Sequence, residues 1–216
     1  MLIIITACEI DNYDPPNGGV VGTLTDKITK ENFQTEQPNG FYIKLFEKGG
    51  EIFSPITFSG KPDGTFENAW IFQNEYKVVP TEGAFFPVDT ATILVGERTE
   101  QNFEVEPFLA IVNIDISTNS GNIISKYQID RSKVKDKIIE SKTLVSKYPT
   151  INNVVFEFMS RNDLADISDE EILGSTFTDE ISNLKSGENY FVRIAARTNN
   201  RLNKYNYSKI FSVTIP

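Results

Sequence analysis

The chain has 216 residues, of which 39% are hydrophobic and 12% aromatic, a composition that suits one or two folded domains. Its formal net charge of −9 argues against DNA or RNA as a partner, because nucleic-acid affinity depends on Lys and Arg neutralising phosphates. The sequence contains no histidine and one cysteine, which excludes Ser–His and histidine–metal chemistry as well as an internal disulfide.

An apolar run at the N-terminus ends in the only cysteine. Leu2–Ala7 is followed directly by Cys8, an order that resembles the lipobox of bacterial lipoprotein signal peptides and implies acylation of the Cys8 thiol. The run is too short to span a hydrocarbon core about 30 Å thick. No Lys or Arg precedes Lys27, so we expect Met1 to lie within a longer signal. The alternative is an ordinary buried thiol behind a short strand.

Acidic residues follow the cysteine at positions Glu9, Asp11 and Asp14. This stretch resembles the export signal of surface lipoproteins in the Bacteroides group, which implies a lipid-anchored position on the outer face of the outer membrane. The same acids also suit a solvated, extended tether. We therefore interpret residues 1–18 as a signal remnant and tether.

Short alternating or wholly apolar segments, bounded by Gly, Pro, Asn and Asp, dominate the rest of the chain and predict a mostly β structure. In the first half, strands are predicted at 20–25, 41–46, 52–58, 66–72, 76–80, 92–95, 101–106 and 108–116. In the second half, they are predicted at 123–130, 138–145, 154–159, near Thr176, 190–197 and 209–215. Spacings near 8 to 12 residues indicate antiparallel sandwiches.

The predicted fold class is all-β, with β-sandwich domains at 19–112 and 113–216. The charge distribution supports this division. Glu9–Val112 contains 17 acidic and 7 basic residues, whereas Asn113–Pro216 contains 13 and 14. Two halves with such different fields are expected to be separate folding units.

An acidic, polar run at 162–171 interrupts the strands of the second half. It predicts a loop or a single helical turn capped by Ser168, because Glu171 follows three residues later as in a capping box. The run lacks the ligand spacing and central glycine of an EF-hand, so no calcium site is predicted.

Several segments of the first half occur in a characteristic order. They are Gly19–Asp26, Phe41–Glu47, Asp63–Phe66, Tyr76–Val78 and Gln101–Phe108. The ordered set resembles the DUF3823 lipoproteins of Bacteroidetes over nearly the whole chain. This resemblance implies a transthyretin-like (prealbumin-like) N-terminal sandwich, an immunoglobulin-like C-terminal module and an association with SusC/SusD-type glycan-uptake systems.

The second half contains a motif that resembles the tyrosine-corner segment of fibronectin type III domains. Leu184, Gly187 and Tyr190 stand at the appropriate offsets, and the tyrosine hydroxyl of such a corner bonds nearby backbone. The departure is Ser186, where many fibronectin modules have proline.

No catalytic set emerges from the sequence. Glu104 and Glu106 alternate onto one strand face and have the spacing range of a glycosidase pair, but alternation alone places solvated acids opposite the buried Phe103 and Val105. Gly18–Gly22 has the wrong spacing for a phosphate-binding loop. We therefore predict a protein without catalytic residues, cofactor or metal site.

The sequence offers more candidate residues for sugar binding than for catalysis, because sugars stack their C–H faces on aromatic rings. Trp70 is one candidate. Alternate residues of a strand share one face, so Trp70 is expected on the same face as Phe66 and Phe72, which favours a position in the core. Phe85 and Phe86 are adjacent on a predicted loop, so at least one should face outward unless both close the end of the sandwich.

A second candidate for ligand binding is the last long loop, which mixes amides, cations and tyrosines. It extends from Arg197 to Tyr207 and includes Tyr205. Loops of sandwich modules often carry recognition residues. The alternative is a polar hairpin whose tyrosines cover the edge of the sheet.

The residues Asp89-Thr90-Ala91 resemble a short acceptor for O-glycosylation in exported Bacteroidetes proteins, which makes Thr90 a possible modification site.

Taken as a set, these features predict a non-enzymatic, surface-exposed lipoprotein that is an accessory to polysaccharide binding and uptake, with SusC/SusD-like partners. Two alternatives remain open: a structural docking or spacer subunit of an outer-membrane complex, and an adhesin or assembly subunit.

Overall fold

The computed structural model describes residues 14–49 and 54–216. Its content of 51% strand and 3% helix, arranged as two sandwich domains, confirms the predicted all-β fold class. The predicted lipidation site Cys8 lies outside the described residues, as does the beginning of the strand predicted at 52–58. Within the described ranges, no helix is long and apolar enough to cross a membrane.

Eight strands lie in the described part of the N-terminal domain. They are β1 (Gly18–Asp26), β2 (Tyr42–Glu47), β3 (Ile56–Ser59), β4 (Thr65–Ile71), β5 (Glu75–Thr81), β6 (Ala91–Leu94), β7 (Thr99–Glu100) and β8 (Phe103–Val105). One sheet has the order β4-β1-β7, with β8 also pairing with β1, and the other has the order β3-β2-β5-β6.

β1 lies in the middle of its sheet because both of its edges are paired. It runs antiparallel to β4 and parallel to β7 and β8. Its residues Val20 and Leu24 are fully buried and pack with residues from the facing sheet, such as Ile43 of β2 and Val78 of β5. Alternation at period two therefore places one core between the two sheets.

A β-bulge interrupts the pairing of β4 with β1. Gly18 pairs with Ile71 and Val20 pairs with Asn68, so β4 contains one more residue than β1 between these two pairs. The amide of Trp70 donates a hydrogen bond of 2.9 Å to the Oδ1 atom of Asn68 inside the bulge. An extra residue of this kind reverses the inward and outward phase of the strand beyond it.

The bulge corrects the prediction for Trp70. Phe66 and Ile71 are both buried although they are five residues apart, and the ring of Trp70 is 74% exposed. Phe72, which period two would also place in the core, is 53% exposed. The favoured assignment of Trp70 to the core is therefore wrong.

The C-terminal domain contains eight further strands and one short helix. They are β9 (Ala110–Asn119), β10 (Asn122–Asp130), β11 (Ile138–Ser146), β12 (Phe158–Asp163), α1 (Asp169–Gly174), β13 (Thr176–Ile181), β14 (Asn189–Thr198), β15 (Asn206–Tyr207) and β16 (Phe211–Thr214). One sheet has the order β13-β10-β9, and the other has the order β12-β11-β14-β15, with β16 also pairing with β14.

Two local predictions in this domain are confirmed. The Oγ of Ser168 accepts a hydrogen bond of 3.2 Å from the amide of Glu171 and caps α1. The Tyr190 hydroxyl accepts a hydrogen bond of 3.2 Å from the amide of Lys185, which is the contact of a tyrosine corner. Gly187, which lies between Lys185 and Tyr190, adopts a φ of 80°, and this conformation disfavours any residue with a Cβ.

One strand begins later than the apolar pattern indicates. The apolar pattern predicts a strand at 154–159, whereas β12 extends from Phe158 to Asp163. The Oδ1 of Asn152 accepts hydrogen bonds from the amides of Val154 and Val155, at 2.8 and 3.0 Å, and holds these residues in a turn. This side-chain turn competes with strand pairing, and Val154 is left largely exposed.

A buried arginine contributes to the junction between the two domains, alongside contacts of Tyr207 and Asn206. Arg193 of β14 is 2% exposed, and its guanidinium donates hydrogen bonds to the carbonyls of Ser208 (3.0 Å), Ile151 (2.8 Å) and, in the N-terminal domain, Thr35 (2.9 Å). It also lies over the ring of Tyr207, 4.4 Å from the centroid. This contact fixes the C-terminal sheet against the N-terminal domain.

Candidate functional site

The junction between the domains is built on residues 106–109, the short connector between β8 and β9. The amide of Phe86 donates to the carbonyl of Glu106 (2.9 Å), and the amide of Phe108 donates to the carbonyl of Ala84 (3.0 Å). The segment after β5 and the connector are thus held side by side, with Phe85 and Pro107 forming a β-bridge. The loop predicted to bind ligand is therefore part of the domain junction.

Phe85 and Phe86 point to opposite sides of this segment. Phe85 is 5% exposed and packs edge-on against Phe33, with ring centroids 5.4 Å apart. Phe86 is half-buried and packs edge-on against Phe108 at 5.2 Å. Phe85 therefore closes the end of the sandwich, whereas Phe86 faces away from the core and is partly covered by Phe108.

The turn before Phe85 requires unusual backbone. Glu82 has a φ of 62°, a left-handed conformation that is uncommon for a residue with a side chain. A Cβ added to the neighbouring Gly83 would lie 2.1 Å from Cε1 of Phe85, so only glycine lets that ring enter the core. The Glu82 carboxylate is held by Lys44 at 2.7 Å. Strained backbone of this kind is often found at ligand sites.

The long loop after β14 is organised by the side chain of Asn200. Its Nδ2 donates to the carbonyl of Lys204 (2.8 Å), and its Oδ1 accepts from the amide of Lys204 (2.9 Å). Asn200 is buried in these contacts, whereas Arg201 is exposed and Leu202 is 44% exposed. The tip of the loop therefore presents one cation and one apolar side chain to solvent.

The tyrosines at the end of this loop are buried, which corrects the expectation that they are available for stacking. Tyr205 and Tyr207 are 6% and 7% exposed. The Tyr205 hydroxyl donates to Glu140 at 2.6 Å, and the Tyr207 hydroxyl donates across the domain boundary to Glu36 at 3.1 Å. Their role in the structure is to join β15 to its neighbours and to the other domain.

Glu140 is the centre of a buried charge cluster next to Tyr205. Burial alone would raise the pKa of this carboxyl, but hydrogen bonds from Tyr205, Arg197, Lys142 and Arg161 outweigh burial and lower the pKa from 4.5 to about 2. The Nε of Arg197 lies 2.9 Å and the Nζ of Lys142 lies 3.0 Å from the carboxylate. The cluster holds the loop against the outer face of the sheet.

A groove of about 640 Å³ lies where these loops of the two domains meet. Its apolar side chains are Val79, Pro80, Phe85, Pro87, Val88, Phe108 and Leu202, and its polar ones are Thr81, Glu82, Lys135, Asp136, Asn200 and Arg201. We call this feature the junction groove. It brings together the two loops that the sequence indicates for ligand binding, the one that carries Phe85 and the one that ends at Tyr207.

The volume and the mixed lining of the junction groove fall within the range found at small-molecule sites. Such sites occupy about 300 to 1,000 Å³, occur preferentially between domains and combine apolar walls with a few polar groups. The Thr81 hydroxyl is buried in the wall and has no hydrogen-bond partner among the described residues. Arg201, Lys135 and Asp136 supply donors and acceptors at the rim.

A second cleft of about 360 Å³ lies between the domains, and its lining includes Asp26, Asn32, Asn113 and Lys209. Burial raises the pKa of the Asp26 carboxyl, although the amides of Ile28 and Thr29 donate to it and oppose the rise. Because these amides already tie Asp26 to its own turn, the cleft has fewer free polar groups than its lining indicates.

The remaining residues singled out in the sequence lie away from the junction groove. Trp70 is on the surface of β4. Thr90 is exposed just before β6, so its hydroxyl is accessible, and its glycosylation stays a prediction. Glu104 pairs with Lys30 at 3.0 Å, while Glu106 pairs with Lys133.

Sequence reasoning missed the apolar residues Phe108 and Leu202 and the cation Arg201 of the junction groove. The apolar pattern predicts a strand that begins at Phe108, whereas β9 begins at Ala110 and Phe108 belongs to the connector. A signal was present for Leu202, because a leucine in an otherwise polar loop has no core partner nearby in sequence. Their proximity to Phe85 depends on domain packing, which no local pattern records.

Two family profiles match the chain. One is described as "Protein of unknown function (DUF3823) N-terminal domain" and matches residues 18–106. The other is described as "Domain of unknown function (DUF3823_C)" and matches residues 109–212. No curated protein matches the chain.

Solved structures share this architecture. A DUF3823 family protein from Bacteroides uniformis is 25% identical, with 93% of this chain and 100% of that one covered and a TM-score of 0.79. Another protein from the same species, described as "a putative carbohydrate binding protein", is 20% identical over 93% and 100% of the two chains, with a TM-score of 0.80. A DUF3823 family protein from Parabacteroides merdae is 20% identical over the same shares, with a TM-score of 0.78.

Proposed function

Because the chain belongs to the DUF3823 family and carries a ligand-sized groove between its domains, we propose that it is a non-enzymatic carbohydrate-binding lipoprotein of the bacterial cell surface. We place it in the outer membrane as an accessory to a SusC/SusD-type uptake system. The observation that carries the proposal is the junction groove, whose apolar walls and polar rim come from loops of both domains. The description of the B. uniformis protein as carbohydrate binding supports the choice of ligand class.

Carbohydrate suits the junction groove better than a purely apolar ligand. Sugar rings present C–H faces that pack on apolar side chains such as Phe108 and Leu202, and hydroxyls that need charged or polar partners. Arg201 and Asp136 provide a donor and an acceptor at the rim. Because Arg193 and the Tyr207–Glu36 contact hold the domains together, the groove is formed before the ligand arrives, which lowers the entropic cost of binding.

The binding prediction concerns the tip of the long loop. Replacing Arg201 and Leu202 together by alanine should weaken retention of a bound polysaccharide about 5- to 30-fold, because the loss of both side chains should cost roughly 1 to 2 kcal/mol of binding free energy in total. Affinity electrophoresis across a polysaccharide panel measures retention, and thermal melts in parallel check the fold. Both side chains are exposed, so the change in stability should stay within about 0.5 kcal/mol.

The matched control is Val154→Ala, which removes an apolar side chain that is 82% exposed on another loop. It should leave retention unchanged. Shortened polysaccharide would show that the protein is an enzyme. If no polysaccharide is retained by the wild-type protein, the junction groove is instead a docking site for another subunit of an outer-membrane complex.

The anchor prediction concerns the only thiol. Cys8→Ser should prevent acylation and release the protein from the membrane fraction, because a serine hydroxyl cannot form the thioether of a lipoprotein anchor. Metabolic labelling with a fatty-acid analogue and fractionation of cells measure both effects. A serine variant that is still labelled and still sediments with membranes would show that Cys8 is not the anchor.

A further inference from the structure

The N-terminal domain has two distinct ends, because its strands run from one to the other. β1 begins at Gly18 and ends at Asp26, which lines the second cleft between the domains. β5 begins at Glu75 and ends at Thr81, which lines the junction groove. The end that contains Gly18 and Glu75 is therefore the end away from the C-terminal domain, and it is where the chain enters from its N-terminal segment.

Three large apolar side chains are exposed at this end. Trp70, Phe72 and Leu94 are 74%, 53% and 75% exposed. We call this set the entry-end patch. Large apolar side chains grouped on the surface of a protein of this kind commonly mark an interaction site.

Backbone pairing brings the members of the entry-end patch to one place. Ile71, which lies between Trp70 and Phe72, pairs with Gly18, the first residue of β1. Leu94 pairs with Glu75, only three residues after Phe72. A Cβ at Gly18 would lie 3.0 Å from Cγ1 of Val95, so the ends of β1, β4 and β6 meet here.

Two acidic residues beside the entry-end patch are paired with cations. Glu67 of β4 pairs with Arg98 at 3.3 Å, and Glu75 of β5 pairs with Lys48 at 2.8 Å. Glu97, whose backbone lies beside Gly19, is exposed and forms no salt bridge among the described residues, so the rim carries no excess of cations. Electrostatic attraction to an anionic surface is not expected from such a rim.

We propose that the entry-end patch rests in the interfacial layer of the lipid bilayer to which Cys8 is anchored. Gly18 follows Cys8 by ten positions, and a segment of that length reaches at most about 33 to 36 Å, so the anchor keeps this end of the molecule near the membrane. Trp is enriched in that layer because its ring is apolar and its N–H is polar. The proposal rests on the anchor part of the proposed function and not on carbohydrate binding.

The contact would orient the molecule. β5 extends over seven residues from the entry end to Thr81 in the groove, and a strand rises about 3.3 Å per residue, so the junction groove stands roughly 20 Å from the patch along the strand direction. With the entry-end patch on the membrane, the groove is held away from the lipid surface and open to polymers outside the cell. An anchor without a second contact would leave the domains free to tumble on the tether.

The sequence supplies two unique labels for the test, since Trp70 is the only tryptophan and Cys8 the only cysteine. The Cys8 thiol is coupled to a maleimide phospholipid in vesicles of phosphatidylcholine, which supplies the anchor whether or not the cell acylates this residue. Trp70 emission should then shift to shorter wavelength and should be quenched by brominated lipid. Both effects should persist at high salt, because the patch is apolar and its rim carries no excess of cations.

The matched control is Phe72→Ser with Leu94→Ser, which keeps both labels and should lose most of the emission shift. Trp70 emission that is unchanged and unquenched on anchored protein would overturn the proposal. An emission shift that appears without vesicles as the protein concentration rises would assign the patch to a second copy of the chain. An emission shift that requires polysaccharide would assign the patch to glycan. Either result would overturn the proposal. Acylation of Cys8 in cells is measured in a separate experiment, and its failure would not change the interpretation of the Trp70 emission on vesicles.

Discussion

Arg193→Met should lower the free energy of unfolding by about 3 to 5 kcal/mol, because three buried carbonyls lose hydrogen bonds to a charged donor. Burial lowers the pKa of Arg193 to about 10, so the guanidinium is still protonated at neutral pH and donates in full. One of the three carbonyls, that of Thr35, belongs to the other domain. Denaturant unfolding followed by circular dichroism and by Trp70 fluorescence measures both the loss of stability and the loss of coupling between the domains.

The two probes separate these effects. Trp70 lies in the N-terminal domain, whereas circular dichroism reports strands of both domains. We expect coincident transitions in the wild-type protein and separated ones in the variant. Arg98→Met, on an arginine whose side chain is 70% exposed, is the control and should change stability by less than about 0.5 kcal/mol. An Arg193 variant with wild-type stability and coincident transitions would show that the guanidinium does not hold the domains together.

Glu140→Gln should remove a pH-dependent part of the stability. The pKa of Glu140 is lowered from 4.5 to about 2 in the folded protein, so its contribution is complete above pH 4.5 and is lost as the pH falls through about 2. A shift of this size corresponds to on the order of 3 kcal/mol at neutral pH. The glutamine variant should be destabilised at pH 7 and should approach the wild-type protein in stability at pH 2. Denaturant unfolding at a series of pH values measures the difference.

The comparison is made between the two proteins at each pH, because other carboxyls also titrate. Burial raises the pKa of Asp26, for example, and the resulting pH dependence has the opposite sign. Glu104→Gln is the control, since the side chain of Glu104 is 50% exposed and pairs only with Lys30 among the described residues. A difference between wild type and Glu140→Gln that stays constant from pH 7 to pH 2 would contradict the role assigned to the cluster.

Features that depend on neighbouring residues could be predicted from the sequence. The cap of α1 requires only Ser168 and an amide three residues later, and the tyrosine corner requires only Tyr190 and the turn at Gly187. Most strands could be placed for the same reason, because alternation records which face of a strand is buried. The fold class follows from these local signals.

Features that depend on distant contacts could not be predicted. The bulge at Trp70 exists because β4 pairs with β1, which lies about fifty residues earlier, and its extra residue reverses the phase that alternation assumes. Tyr207 contacts Glu36 across 171 positions of sequence. The sequence therefore indicates the two loops that line the junction groove, but the aromatic residues that it predicts for binding are largely buried at the domain interface.

In the proposed arrangement, ligand recognition lies in the junction groove and membrane contact at the opposite end of the N-terminal domain. This separation explains why aromatic exposure alone is a poor guide here. Trp70 is the most exposed of the aromatic candidates, yet it lies at the end of β4 away from the groove. The buried Phe85 contributes to the groove through the wall that it forms with Phe108.

Hydrogen–deuterium exchange with and without a retained polysaccharide tests whether carbohydrate binds in the junction groove. We expect slower exchange at residues 79–88 and 199–203, which form the two sides of the groove, and unchanged exchange in β4. Protection confined to β4 around Trp70, or no protection anywhere while the polysaccharide is bound, would contradict it.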